Sequence, residues 1–208
     1  MVKLRRIVAL LFSLLLAGCG ADVSLPELNV KGTDITHSAE FRDAENSSQR
    51  RLALTDHNGR KVNLDTFKGK VVVLFFGYTH CPDVCPTTLS DMAQALKLLK
   101  AEDAAKVQVL FASVDPERDA EAMLKEFVPY FHPDFLGLHG SPEQVAQAAR
   151  EFKVVYRKFV EPGASDYLID HSAGSYVLDQ SGRLRVYLPY KSTPADIAHD
   201  LGLLLKAA

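Results

Sequence analysis

Basic charge is not in excess in this chain of 208 residues. Lysine and arginine number 24 against 26 acidic residues, and three of the basic ones lie within the first six positions. That balance argues against nucleic acid as a partner. Long apolar runs are missing too: the stretch from Ile7 to Leu16 falls short of the ~20 residues a helix needs to cross a bilayer. There is no internal repeat and no low-complexity tract, and 47% of the residues are hydrophobic. One globular domain with appendages is the expectation. Cysteine is limited to Cys19, Cys81 and Cys85, and no proline lies between Pro162 and Pro189.

What is present begins with a leader. Lys3, Arg5 and Arg6 precede the apolar run, which is a secretory signal pattern. Leu16-Ala17-Gly18-Cys19 looks like a bacterial lipobox, which implies cleavage before Cys19 and lipidation of its thiol. Residues 1–18 are therefore expected to be a lipoprotein signal peptide. Residues 19–50 are polar and lack sustained periodicity, and read as a tether with a short docked segment near Phe41. Residues 51–208 form the domain, facing the periplasm or another extracytoplasmic space from a bacterial membrane.

The domain is organised around Gly77 to Leu89, which holds Cys81, Pro82, Cys85 and Pro86. Before it, Val71 to Phe76 is continuously apolar and reads as a strand buried on both faces. After it, Leu89, Met92, Ala93, Leu96 and Leu99 recur at helical spacing. The cysteines thus sit on a strand-to-helix turn, where unpaired backbone N–H groups and the helix dipole favour thiolates. Asn58-Gly59 marks an N-terminal hairpin. Val107 to Val114 is a second buried strand, Asp119 opens a helix, and Phe135 to Leu138 is a short strand. Ser141-Pro142-Glu143-Gln144 starts another helix. Val154 to Val160 is extended and turned back at Pro162-Gly163. A terminal hairpin brackets Asp179 to Gly182, and Thr193 or Ser192 caps a last helix. This order gives an α/β fold: a mixed sheet with helices on both faces, thioredoxin-like in outline.

Four-residue spacing puts both sulfurs on one face of a helix, free to converge on a shared ligand or to close a disulfide. Two thiolates underfill most metal sites, so a third donor is sought among seven histidines. His37, His57 and His199 read as solvated, and His132 and His139 as loop residues. The His80 side chain should diverge from that of Cys81. His171 precedes the terminal hairpin, in the loop that faces the dithiol of a thioredoxin-like sheet. Thioredoxins carry a cis-proline there, and this chain has none. His171 is thus either the third ligand or a packed loop histidine. Two thiolates and an imidazole suit copper, especially copper(I), while zinc would want a fourth ligand and calcium and magnesium are excluded. Asp83 and Asp170 either tune the site or are a turn cap and a loop charge.

The chain resembles the SCO/SenC family through three stretches: Gly77 to Leu89, Val114-Asp115-Pro116-Glu117-Arg118-Asp119, and Tyr167 to Tyr176 with its Asp170-His171-Ser172. The resemblance spans roughly residues 50–207. It implies copper ligands Cys81, Cys85 and His171 and a thioredoxin-like fold with an inserted β-hairpin. It also implies a membrane-anchored metallochaperone that assists assembly of the CuA centre of cytochrome c oxidase. Its partner would be the oxidase copper-site subunit or another periplasmic copper protein. The alternative is a thiol-disulfide oxidoreductase, in which Cys81 and Cys85 are a redox pair acting on the cysteines of the oxidase copper site or of another exported protein. A peroxidase is disfavoured, because Pro82 and Tyr78 stand where peroxiredoxins place a Thr or Ser and a Pro.

Overall fold

Val71 to Gly77 is apolar at every position and rich in β-branched and aromatic residues, so it gains most where both faces are covered. In the structure, a computed structural model describing residues 28–36 and 52–207, it forms the central strand β4 (Val71–Gly77), buried throughout. The equally apolar β5 (Val107–Ser113) runs parallel to it, from Val71 opposite Val107 to Gly77 opposite Ser113. β6 (Leu136–His139) adds a further parallel strand beside β5. On the other flank β9 (Ser175–Leu178) pairs antiparallel with β4, and β10 (Leu184–Leu188) pairs with β9. β2 (Leu54–Asp56) and β3 (Lys61–Val62) form the expected N-terminal hairpin and close the β6 edge. Gly59 takes a φ of +77° at its turn, a conformation that favours glycine.

Helices cover both faces. α1 (Val84–Leu98) buries Cys85, Leu89, Met92, Ala93, Ala95 and Leu96, and packs along α5 (Pro194–Lys206). Side chains alternate along β4. Phe75 and Gly77 face α1, while Phe76 points to the opposite side and meets Phe152 at the end of α4 (Pro142–Glu151). The capping box expected at Ser141 and Gln144 is present, and Thr193 caps α5 ahead of Pro194. A short α2 (Ala101–Ala104) follows α1, and α3 (Glu121–Phe127) packs on β6. Each large aromatic side chain buried here contributes about 1.5–3 kcal/mol. Among the described residues no helix is long and apolar enough to cross a membrane.

The inserted hairpin stands apart from the main sheet. β7 (Tyr156–Phe159) and β8 (Leu168–His171) pair antiparallel, with Tyr156 opposite His171. The mixed sheet and its helices are the thioredoxin-like arrangement expected from the order of elements, and this insertion is the hairpin that the family resemblance implies.

Three readings of the sequence are corrected. His57 is not solvated: it is 4% exposed and accepts a hydrogen bond from the Gly137 N–H. His139 lies in β6 and not in a loop. Within the stretch read as a tether, residues 28–36 lie against the domain, with β1 (Thr33–Asp34) paired to β10 as the other edge strand. Buried Asp200 of α5 accepts the N–H groups of Lys31 at 2.7 Å and Gly32 at 2.8 Å, which holds that segment down. The leader, Cys19, His37 and the segment near Phe41 lie outside the described residues.

Candidate metal centre

The turn after β4 delivers Cys81 and the first turn of α1 delivers Cys85. The end of β8 delivers His171 from the inserted hairpin. The Sγ atoms of both cysteines and a ring nitrogen of His171 lie within 4.8 Å of one another. Cys85 Sγ is 3.5 Å from His171 Nε2, and the Cys85 N–H points at Cys81 Sγ across 3.4 Å. Both cysteines are free thiols. Cys85 is fully buried and Cys81 partly exposed, so Cys81 forms the outer lip of the cluster.

The pair shares its protons unequally. The hydrogen bond from the Cys85 thiol, helped by the neighbouring His171 ring and by the backbone N–H groups of Asp83 and Cys85, holds the Cys81 thiol well below its ordinary range. Burial, reinforced by the neighbouring Cys81 charge, pushes Cys85 far up. At neutral pH the metal-free pair therefore holds one proton, on Cys85.

The imidazole is oriented from both ends. His171 Nδ1 lies 3.1 Å from the Ser172 carbonyl, which can only accept, so Nδ1 carries the proton and Nε2 presents its lone pair to the sulfurs. The ring sits edge-on between Phe75 and Tyr78, with centroids 5.9 and 6.0 Å away. Asp170 does not share in this: it is exposed and pairs with Arg157 at 3.1 Å. Asp83 stands at the N-cap position of α1, but its carboxylate caps no backbone N–H and takes only the Thr87 hydroxyl, at 3.3 Å. His80 points away from the sulfurs, its Nδ1 3.0 Å from the Thr79 hydroxyl.

Sequence reasoning missed three supports of the cluster. Gly77 leaves room for the cysteine: a Cβ there would lie 2.7 Å from both Cys85 Sγ and a Phe111 ring carbon. Tyr78 is buried and meets the His171 ring edge-on at 6.0 Å, tying the cysteine loop to the histidine hairpin. Asp119 does not cap α3, whose N-cap is Ala120. Its buried carboxylate instead accepts the Thr79 N–H at 3.0 Å and the hydroxyls of Thr79 and Ser113, each at 2.6 Å.

The loop before Asp119 grips the hairpin as well. Arg118 lies 3.6 Å over the Tyr167 ring and donates to the Tyr167 carbonyl, while the Tyr167 hydroxyl donates to Asp115 at 2.7 Å. One loop therefore holds both the cysteine turn and the histidine strand. In the sequence Asp119 reads only as the residue that opens a helix. A Ser-x-x-x-x-x-Asp pairing across a loop, as between Ser113 and Asp119, leaves no periodic signal from which to infer it.

A model of the SCO1/SenC family matches residues 42–206. The bovine mitochondrial SCO2 homolog is 43% identical over 137 residues, 65% of this chain and 52% of its own, so the chain spans about half the length of that relative. An SCO2-like protein of Rickettsia felis is 35% identical over 71% of this chain and 72% of its own. Among solved structures, Bradyrhizobium japonicum ScoI with copper bound is 42% identical, with a TM-score of 0.65 over 72% of this chain and 94% of its own. A SCO1/SenC family lipoprotein from Bacillus anthracis is 30% identical, with a TM-score of 0.61 over 73% and 91%. BsSco, described for a disulfide switch, is 27% identical, with a TM-score of 0.58 over 74% and 90%. Sequence match, shared architecture and the three-residue cluster agree, and this chain belongs to the SCO1/SenC family.

Proposed function

We propose that the chain binds copper through Cys81 Sγ, Cys85 Sγ and His171 Nε2 and passes it on during assembly of the CuA centre of cytochrome c oxidase. The observation that carries this reading is the convergence of two sulfurs and one imidazole nitrogen within 4.8 Å, with the imidazole lone pair held inward. Two soft thiolates and one borderline nitrogen fit copper(I) in low coordination, and copper(II) with a further ligand. Copper is cargo here. Three donors leave a position open to an acceptor sulfur, and Cys81, the partly exposed and more acidic thiol, is the donor nearest to that exchange. The copper-bound relative supports this assignment. The lipoprotein relative supports export, cleavage before Cys19 and a lipid anchor, with residues 51–208 as the working domain.

A second reading is favoured by the thiolate at Cys81 beside a protonated, buried Cys85. Cys81 would attack a partner disulfide, and Cys85 would then displace the partner sulfur from the mixed disulfide, which leaves the partner reduced and this pair oxidised. Anaerobic copper(I) titration of the reduced chain against a competing chelator separates the two, with disulfide reduction assayed on the same samples. One tight copper per chain, lost in His171→Ala while thiol chemistry persists, is the expected outcome. Absence of tight copper in the native chain, with reductase activity intact, would leave the thiol reading alone.

A further inference from the structure

At the other end of the parallel strands, about 20 Å from the cysteine turn at seven residues of strand, the structure holds an open cleft of about 750 Å³. Lys70, Val107 and Leu136, at or next to the starts of β4, β5 and β6, line it together with the turn that carries His57. Its volume lies within the range of small-molecule sites. Two histidines face into it, and both are fixed in the tautomer opposite to that of His171. The Gly137 N–H donates to His57 Nδ1 at 3.1 Å, and the Asp134 N–H donates to His132 Nδ1 at 3.3 Å. An amide can only donate, so each Nδ1 holds a lone pair and each Nε2 carries the proton.

His57 is 4% exposed, and its Nε2–H has no hydrogen-bond partner among the described residues. Burial keeps this ring neutral by pulling it below the ordinary imidazole range. Open to the cleft and unbonded within the described residues, this donor is available to an acceptor bound there. A metal ion does not suit it. Coordination through Nε2 would force a proton onto Nδ1, against a backbone N–H. An acceptor with negative charge does suit it.

The charges on the cleft agree. Lys70 and Lys125 line it without an ion pair among the described residues, whereas Arg60 is held by Asp56 at 2.8 Å. Asp134 is the carboxylate on the lining, and Glu121 faces His57 from beyond the turn. Leu96 and Phe135 supply an apolar floor, with His132 stacked on Phe135 at 4.9 Å. We propose that this cleft is a second binding site, for a small organic anion whose headgroup meets the Nε2–H groups of His57 and His132 and whose apolar body lies over Leu96 and Phe135.

Hexanoate is a suitable probe, with hexanol, hexylammonium and inorganic phosphate as comparators, added to the full chain while the histidine side-chain nitrogens are followed by NMR. Saturable hexanoate binding should shift His57 and His132 and leave His171 unmoved. It should weaken at least tenfold in the Lys70→Gln, Lys125→Gln double variant, whose changes are on the surface and spare the core. No saturable binding, an equal response to hexanol or hexylammonium, or unchanged affinity in the double variant would overturn the site. Phosphate binding as tightly as hexanoate would overturn the apolar half of the proposal. Copper(I) affinity, measured alongside, should be the same with and without hexanoate, so this site and the cysteine cluster stand or fall separately.

Discussion

What His57, His132 and His171 do in this protein follows from the backbone group that each Nδ1 meets. A carbonyl beside His171 leaves a lone pair aimed at sulfur, whereas amides beside His57 and His132 leave protons aimed into a cleft. The sulfurs divide in the same way, through what surrounds them. With its ionisation shifted down, Cys81 stays a thiolate as pH falls from 9 to 6, where a free thiol with a pKa of about 8.5 would lose reactivity nearly tenfold per unit. Iodoacetamide alkylation of Cys81 in the metal-free chain should therefore proceed at a nearly constant rate across that range and leave Cys85 unmodified. A steep fall below pH 8 would show that Cys81 titrates as an ordinary thiol. Gly77 is the residue that sets where the second sulfur sits. Gly77→Ala drives a methyl group into Cys85 Sγ and Phe111, and overpacking of this type costs about 1–3 kcal/mol. Urea unfolding should show that loss together with weaker copper(I) binding, since the displaced atom is one of the proposed ligands.

Among the elements, the loop between β5 and α3 has the largest part in the site without entering it. It reads in the sequence as a strand-to-helix connection with a capping aspartate. The structure gives Asp119 three donors from the cysteine turn and from β5. Serine is among the best helix caps and would serve if Asp119 were one. The structure predicts otherwise: Asp119→Ser should lose about 3 kcal/mol, because charge-assisted bonds to a buried carboxylate are broken and their donors left unpaired. Its copper(I) affinity should fall as the Thr79 end of the cysteine turn loosens. Full stability in Asp119→Ser would restore the capping role. The reason this was not legible lies in the residue type: an aspartate ahead of a helix looks the same whether its carboxylate turns to the helix or away from it.

For the molecule as a whole, the sequence made plain whatever is carried by local pattern. The apolar runs of β4 and β5, Asn58-Gly59, Ser141 with Gln144, and the cysteine turn all announce themselves within a few residues. His171 was legible for a different reason, because a proline was missing where a donor could replace it. Long-range choices were not legible. Nothing near His57 in the chain says that Gly137 will meet it, and nothing near Lys31 says that Asp200 will accept its N–H. That second pairing is testable. Asp200→Ala should cost about 2 kcal/mol, as two backbone donors lose their acceptor, and should expose residues 28–36 to proteolysis without altering copper(I) affinity. Resistance equal to that of the native chain would mean that β1 alone holds the segment. The docking of Leu28 to Thr36 also sets a length. With an anchor at Cys19, as proposed, the nine residue steps to Leu28 give a leash of at most about 30 Å, where a tether reaching residue 50 would allow roughly 100 Å. Cargo exchange would then be confined to a thin layer of space above the lipid, open only to acceptors whose own metal site lies close to the membrane surface.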